Sequence, residues 1–257
     1  MEHVTSADGT VIAFDRIGDG PALIVLGGAL CSRATTRPHA AALAAYFQVI
    51  NADRRGKGDS GDTPPYAVER EIEDVAALVA VAGGTAALYG HSSGAGLALE
   101  AAASGIPLTG LVLHEPPYAP APDPESAAHT ARITELLAQG RREEAVDLHM
   151  SGSGRPDEAV AGMHAEPWWP EAVALAHTLL YDYACLGDDL VPTASAARIR
   201  VPTLVIGGGD SPEWMVEVGL RVAEAVPRGR HVVLKGQGHV AAPEVLAPVV
   251  AEFLRTT

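Results

Sequence analysis

Ser92 stands in Leu88-Tyr89-Gly90-His91-Ser92-Ser93-Gly94, a G-x-S-x-G arrangement. A short apolar stretch precedes it and an Ala-rich run over residues 95–103 follows. The spacing predicts a strand, a sharp turn and a helix, with the serine at the apex. A residue held in a strained turn needs neighbours without a Cβ, so that strand and helix can approach closely. The Ser93 N–H then faces the space where an oxyanion would form, and the helix N-terminus adds partial positive charge there. A serine hydroxyl needs a base to take its proton, and the base needs an acid to orient it. His239 follows the last apolar run, in Gly236-Gln237-Gly238-His239. Asp210 follows the run before it, in Gly207-Gly208-Gly209-Asp210-Ser211-Pro212.

The elements that must position these residues alternate along the chain. Residues 3–5 and 11–17 read as a hairpin around Ala7-Asp8-Gly9. Residues 22–26 form an apolar run of the kind buried on both faces of a parallel sheet. A helical pattern covers 35–46, a strand 47–51, a Gly-rich loop 53–61 and an amphipathic helix 67–82. Leu111-Val112-Leu113-His114 is a further buried strand that ends at Glu115-Pro116-Pro117. Strands and helices in this rhythm imply right-handed crossovers and a mostly parallel sheet, whose loops emerge at one C-terminal edge. Ser92, Asp210 and His239 therefore converge by topology. The Pro-rich piece at 118–124 breaks the rhythm. Beyond it only helical patterns follow: one with Ile133, Leu136 and Leu137 on a face, one with Glu144, Ala145, Leu148 and Met150, and one from Trp168 to Leu186. Residues 119–195 thus read as a helical insertion between core pieces 1–118 and 196–257. The core resumes with strands at 201–206 and 231–234 and helices at 213–226 and 243–255.

Composition narrows the function classes. A chain of 257 residues with 47% hydrophobic content can bury a large α/β core. A net charge of -14 argues against nucleic acid and anionic membranes as partners. Two cysteines, Cys31 and Cys185, make no disulfide framework. No signal peptide and no membrane-length apolar run is visible, so a cytoplasmic protein is expected. His164 and His177 lack partners at metal-ligand spacing, and no glycine loop fits a phosphate-binding pattern, so neither metal nor nucleotide cofactor is expected. The partner is expected to be a small-molecule substrate. Whether the chain is a monomer or a homodimer stays open.

With the glycine loop Gly27-Gly28, the D-x-R-G-x-G-x-S stretch from Asp53 to Ser60, the elbow at Ser92 and the late Asp210 and His239, the chain resembles the α/β-hydrolase superfamily over essentially its whole length. The insertion looks like the cap, or lid, of the cofactor-free group that holds many esterases, C–C bond hydrolases and so-called haloperoxidases. The resemblance implies an eight-stranded, mostly parallel sheet with helices on both faces and an inserted helical cap. It implies a serine hydrolase acting through an acyl-enzyme on a small, apolar or aromatic ester, thioester, lactone or C–C bond. Ser92 would be the nucleophile, His239 the base, Asp210 its orienter, and the Ala29 and Ser93 N–H groups the oxyanion donors. A non-hydrolytic receptor or biosynthetic enzyme on the same fold, or a perhydrolase, is the alternative. Two departures stand out. Members often carry His-Gly where this chain has Gly27-Gly28. The family's carboxylate often directly precedes a proline, a place held here by Ser211, which makes Glu115 the alternative acid. Leu30, Glu115, Trp168, Trp169 and Trp214 are candidate pocket residues. His91 is expected to pack beneath the elbow, His114 to sit in the core, and Arg55 and Asp59 to tie their loop down by ion pairs.

Overall fold

The continuous apolar runs become the middle of one sheet. The computed structural model describes residues 1–152 and 155–256. Its strands are β1 (Glu2–Thr5), β2 (Val11–Ile17), β3 (Ala22–Leu26), β4 (Gln48–Ala52), β5 (Ala86–His91), β6 (Leu108–His114), β7 (Thr203–Gly208) and β8 (Gly229–Leu234). They pair in the order β1-β2-β4-β3-β5-β6-β7-β8. β2 runs antiparallel to both β1 and β4, and every later pairing is parallel. This is the eight-stranded, mostly parallel sheet that the resemblance implied.

Alternation along the central strands explains the layers. In β3, Leu23 and Val25 face one core while Ile24 and Leu26 face the other, as the two-residue period of a strand requires. Helices α1 (Arg33–Leu43) and α11 (Pro243–Arg255) close the first core. Helices α2 (Val68–Val81), α3 (Ser93–Ala103) and α10 (Glu213–Ala225) close the second. Buried strands read as unbroken apolar runs because both faces are covered. β5 lies between β3 and β6, with Gly90 level with Leu26 on one side and Leu113 on the other. The elbow that follows β5 is therefore near the middle of the sheet edge.

Between β6 and β7 the chain forms α4 (Pro124–Ala138), α5 (Arg142–Gly152), α6 (Asp157–Met163), α7 (Trp169–Ala174), α8 (Leu179–Ala184) and α9 (Thr193–Ala196). α4 starts where Asp123 accepts a hydrogen bond from the Glu125 N–H at 2.9 Å, with Pro124 at the first helical position. The long third helix expected from 168 to 186 is broken. A 3-10 turn at Ala176–Thr178 separates α7 from α8, and the Thr178 hydroxyl donates back to the Leu175 carbonyl at 2.8 Å, competing with regular helix. Ile133, Leu136, Val146, Trp169 and Leu179 give the insertion a core of its own, and Leu30 from the loop after β3 joins it. At the neck, Ala119 and Leu190 form a parallel bridge. Among the described residues no helix is long and apolar enough to cross a membrane.

Candidate active site

Among the described residues, the loops after β3, β5 and β6 carry three of the four non-glycine residues with positive φ: Leu30 (56°), Ser92 (55°) and Glu115 (50°). Such backbone is costly and persists where the surroundings impose it, often at functional sites. Ser92 has ψ -127° and links β5 directly to α3. Its N–H donates to the His114 carbonyl at 2.9 Å, which anchors the turn to β6. The flanking glycines are steric requirements. A Cβ on Gly90 would lie 2.2 Å from the Gly94 carbonyl oxygen, and one on Gly94 would lie 2.5 Å from that of Gly27.

The glycine loop after β3 faces the serine. A Cβ on Gly28 would come within 2.9 Å of Ser92 Cβ and 3.4 Å of Ser92 Oγ. Ala29 follows at once. Among the described residues its N–H has no hydrogen-bond partner, and the Ser93 N–H, first in α3, has no intrahelical one. Two donors on adjacent loops, one at a helix N-terminus, suit a developing oxyanion. At Gly27 space is tight: a Cβ there would stand 3.1 Å from Thr36 Cγ2 and 3.2 Å from Cys31 Cβ. A side chain at this place would need Thr36 and Cys31 to give way by a few tenths of an ångström.

His239 Nδ1 lies 2.8 Å from Glu115 Oε2. The other carboxylate oxygen, Oε1, accepts the Gly208 N–H at 2.6 Å, and the Glu115 N–H donates to the Ile206 carbonyl at 2.8 Å. Glu115 is 1% exposed. Burial would raise its carboxyl, but the hydrogen bonds from His239 and Gly208 outweigh burial and hold it below the ordinary glutamate value. An ionised carboxylate only accepts, so Nδ1 carries the proton and Nε2 is left free as a base.

The expectation that Asp210 orients His239 is corrected by this geometry. The chain after β7 is pinned by backbone bonds, Gly209 N–H to the Leu234 carbonyl and Asp210 N–H to the Gln237 carbonyl, both 2.8 Å. Asp210 is left exposed, and Glu115 holds the histidine. The proline offset at Ser211, together with a carboxylate at the end of β6, is the signal in the sequence that points this way.

Two further imidazoles support the arrangement. His91 Nε2 donates to the His239 carbonyl at 2.8 Å, and its ring lies 4.7 Å from that of His239 and 4.9 Å from that of His114. His114 Nδ1 pairs with the Tyr89 hydroxyl at 2.7 Å. Burial, then the neighbouring His239, lowers the pKa of His91 to about 3. Burial holds His114 well below the ordinary histidine value, with the adjacent His91 adding to the effect. Both are neutral supports, and neither serves as the base.

The tryptophans divide. Trp169 is 3% exposed, stacks on His164 at 4.3 Å and donates its indole N–H to Glu143 at 3.0 Å. It belongs to the insertion's core, the one that Leu30 joins, as suits a large aromatic with a satisfied N–H. Leu30 closes that same core from below. Trp168 and Trp214 are surface residues, 41% and 39% exposed. Arg55 is fully buried against Asp74 and Asp8, and Asp59 pairs with Arg33 at 2.7 Å.

Sequence reasoning missed one group entirely. Arg54, Lys57, Glu71 and Asp182 form a buried ion cluster beside Ser93. The available signal was Arg54-Arg55-Gly56-Lys57, three cations packed into a glycine-rich loop. The partner Asp182 lies more than a hundred residues away.

Comparison with known proteins agrees with the architecture. No curated protein matches the chain in sequence. Among solved structures, an alpha/beta hydrolase from Sphaerobacter thermophilus DSM 20745 superposes with a TM-score of 0.92 at 51% identity, covering 98% of this chain and 99% of that one. A hydrolase from Pseudomonas aeruginosa PA01 gives 0.78 at 25% identity, covering 98% and 97%. A thermophilic esterase from Thermogutta terrifontis shares the fold, with 0.76 at 24% identity over 99% and 98%. With the model of the Alpha/beta hydrolase family matching residues 5–249, the chain belongs to that family and is a hydrolase by fold and lineage.

Proposed function

We propose that the protein is a serine hydrolase with Ser92 as nucleophile, His239 as base and Glu115 as the acid that orients it. The observation that carries this reading is the 2.8 Å contact of His239 Nδ1 with a buried, doubly held Glu115, beside a serine at φ 55°. The Ser92 hydroxyl attacks an acyl carbon while His239 Nε2 takes its proton. The carbonyl oxygen becomes an oxyanion held by the Ala29 and Ser93 N–H groups. Removal of one such donor costs about 10²–10³ in kcat in comparable enzymes. As the tetrahedral species collapses, the bond to the leaving group breaks and His239 returns the proton to it. A water molecule, deprotonated by the same histidine, then releases the acid and regenerates Ser92.

Residues 119–195 act as a cap in this reading. The insertion shares a core with Leu30 of the oxyanion loop, and Glu171 accepts a hydrogen bond from Ser32 just beyond it. A seat this close to Ser92 favours small substrates over polymers. Short or medium acyl esters and lactones are the proposed class, in line with fold neighbours described as an esterase from Exiguobacterium antarcticum and an enol-lactonase from Burkholderia xenovorans LB400.

A fluorophosphonate probe together with a panel of p-nitrophenyl esters from C2 to C16 tests the proposal. Labelling of Ser92, lost in Ser92→Ala, and a preference for short acyl chains are expected. Labelling at another residue would refute the nucleophile. Labelling without turnover of any ester would move the protein to a non-hydrolytic role.

A further inference from the structure

A cluster of buried charge lies directly behind the oxyanion loop, outside the Ser92, His239 and Glu115 set. Arg54 and Lys57 come from the loop after β4, Glu71 from α2 and Asp182 from α8 of the insertion. All four side chains are at most 2% exposed. Arg54 forks onto both oxygens of Glu71 at 2.8 Å and reaches Asp182 Oδ1 at 2.5 Å. Lys57 Nζ donates to the two oxygens of Asp182 at 2.9 and 3.0 Å. Two cations and two anions balance. Yet stability alone does not explain such a cluster, since well-packed apolar residues often serve as well or better in a protein interior.

The remaining contacts of the cluster give it a task. Lys57 Nζ also donates to the Gly28 carbonyl at 2.9 Å. That carbonyl and the Ala29 N–H belong to one planar trans peptide, so they point to opposite sides of it. Fixing the oxygen from behind fixes where the N–H points in front. An ammonium on the oxygen also polarises the peptide and strengthens its N–H as a donor. On the other side of the site, the Ser93 hydroxyl donates to Asp182 Oδ1 at 2.8 Å. Asp182 therefore holds one donor residue directly and the other through Lys57. Arg54 adds a longer contact to the Gly27 carbonyl at 3.4 Å. Gly27 itself offers no side chain to brace this loop.

We infer that Lys57 and Asp182 are positioning residues for the oxyanion hole: Lys57 orients the Gly28–Ala29 peptide, and Asp182, carried on the insertion, holds Lys57 and Ser93 in register. The inference rests on the serine-hydrolase reading. It gives the insertion a role in the chemistry, because the hole is complete only while α8 is seated on the core.

The test uses the full chain, p-nitrophenyl acetate and a phenyl trifluoromethyl ketone, which forms a tetrahedral adduct with serine and places a negative oxygen in the hole. Wild-type turnover and fluorophosphonate labelling of Ser92 are measured first. If both fail, the serine-hydrolase reading is wrong. If both succeed, the variants decide the present inference. Lys57→Met is expected to lower kcat by about 10–100-fold with KM within about threefold, and to weaken the ketone by the same factor as kcat/KM, because the lost interaction is made only in the transition state. Asp182→Asn keeps the side-chain shape and one acceptor oxygen, and is expected to show the same pattern at smaller amplitude. Ser93→Ala removes a hydroxyl and no charge. It is expected to lower kcat by about threefold, and it decides the matter if the charge variants do not fold. Folded variants with wild-type kcat and ketone affinity overturn the inference, as does a change confined to KM.

Discussion

Glu115 and Asp210 end neighbouring strands at the same edge of one sheet, yet they live in different media. Glu115 is enclosed, accepts the Gly208 N–H and faces His239; Asp210 stands in water, one turn after β7. The same contrast recurs among the ion pairs. Asp182 on α8 is buried between Arg54 and Lys57, while Glu135 on α4 and Glu144 beside Arg141 pair with arginines that are largely exposed. A carboxylate in water is screened and its pairings contribute little. The same group in the interior must be satisfied, and its satisfaction orders whatever holds it. Charge does structural or chemical work in this molecule where solvent has been removed.

That contrast can be broken most severely at Glu115. Glu115→Gln removes the charge that orients His239 and should lower turnover of p-nitrophenyl acetate by about 10³–10⁴-fold, on the scale of the equivalent change in a serine protease. A loss under tenfold would remove Glu115 from its role. Next in size is Asp182→Ala, which leaves buried Lys57 without its anion while Arg54 keeps only Glu71. A loss of about 3–5 kcal/mol of stability is expected, read by denaturant unfolding. A stability within 1 kcal/mol of wild type would mean that water or a counter-ion reaches the cluster.

Acid sharpens the comparison further. His91 and His114 are folded neutral, with the His91 value lowered from 6.5 to about 3 by burial and then by His239. Below about pH 6.5 the unfolded chain binds protons there that the folded chain does not. Stability therefore rises with pH in this range and is lost as the pH falls from 6.5 toward 3. The contribution of Glu115, lowered from 4.5, is present above 4.5 and disappears only as the pH drops further through its folded value. Melting temperature against pH should fall first in the histidine range, and His114→Phe should reduce that slope. The smallest effects belong to the exposed groups. Glu144→Gln should leave the melting temperature unchanged, and Asp210→Asn should alter kcat/KM by less than about twofold. A large loss in Asp210→Asn would return the acid to the loop after β7.

Much of this architecture can be read from local pattern. Unbroken apolar runs such as Ala22–Leu26 and Thr203–Gly208 are strands because both faces are covered. Gly90 and Gly94 mark the elbow because nothing larger fits between β5 and α3. The order of Ser92 and His239 along the chain, with parallel strands, suffices to bring their loops to one edge. Other features depend on contacts that no window of sequence contains. Whether Trp168 or Trp169 is buried follows from which one meets the insertion's core.

By itself, then, the sequence determined the sheet, the elbow and the helical insertion, since these follow from periodicities of two and 3.6 residues and from steric demands within a few positions of each glycine. Only the tertiary structure decided which of two carboxylates meets His239 and which anion from the insertion meets Lys57. Burial and hydrogen-bond geometry are set by residues distant along the chain. A side chain one strand away, such as Glu115, reaches the histidine when backbone bonds pin its rival Asp210 in solvent.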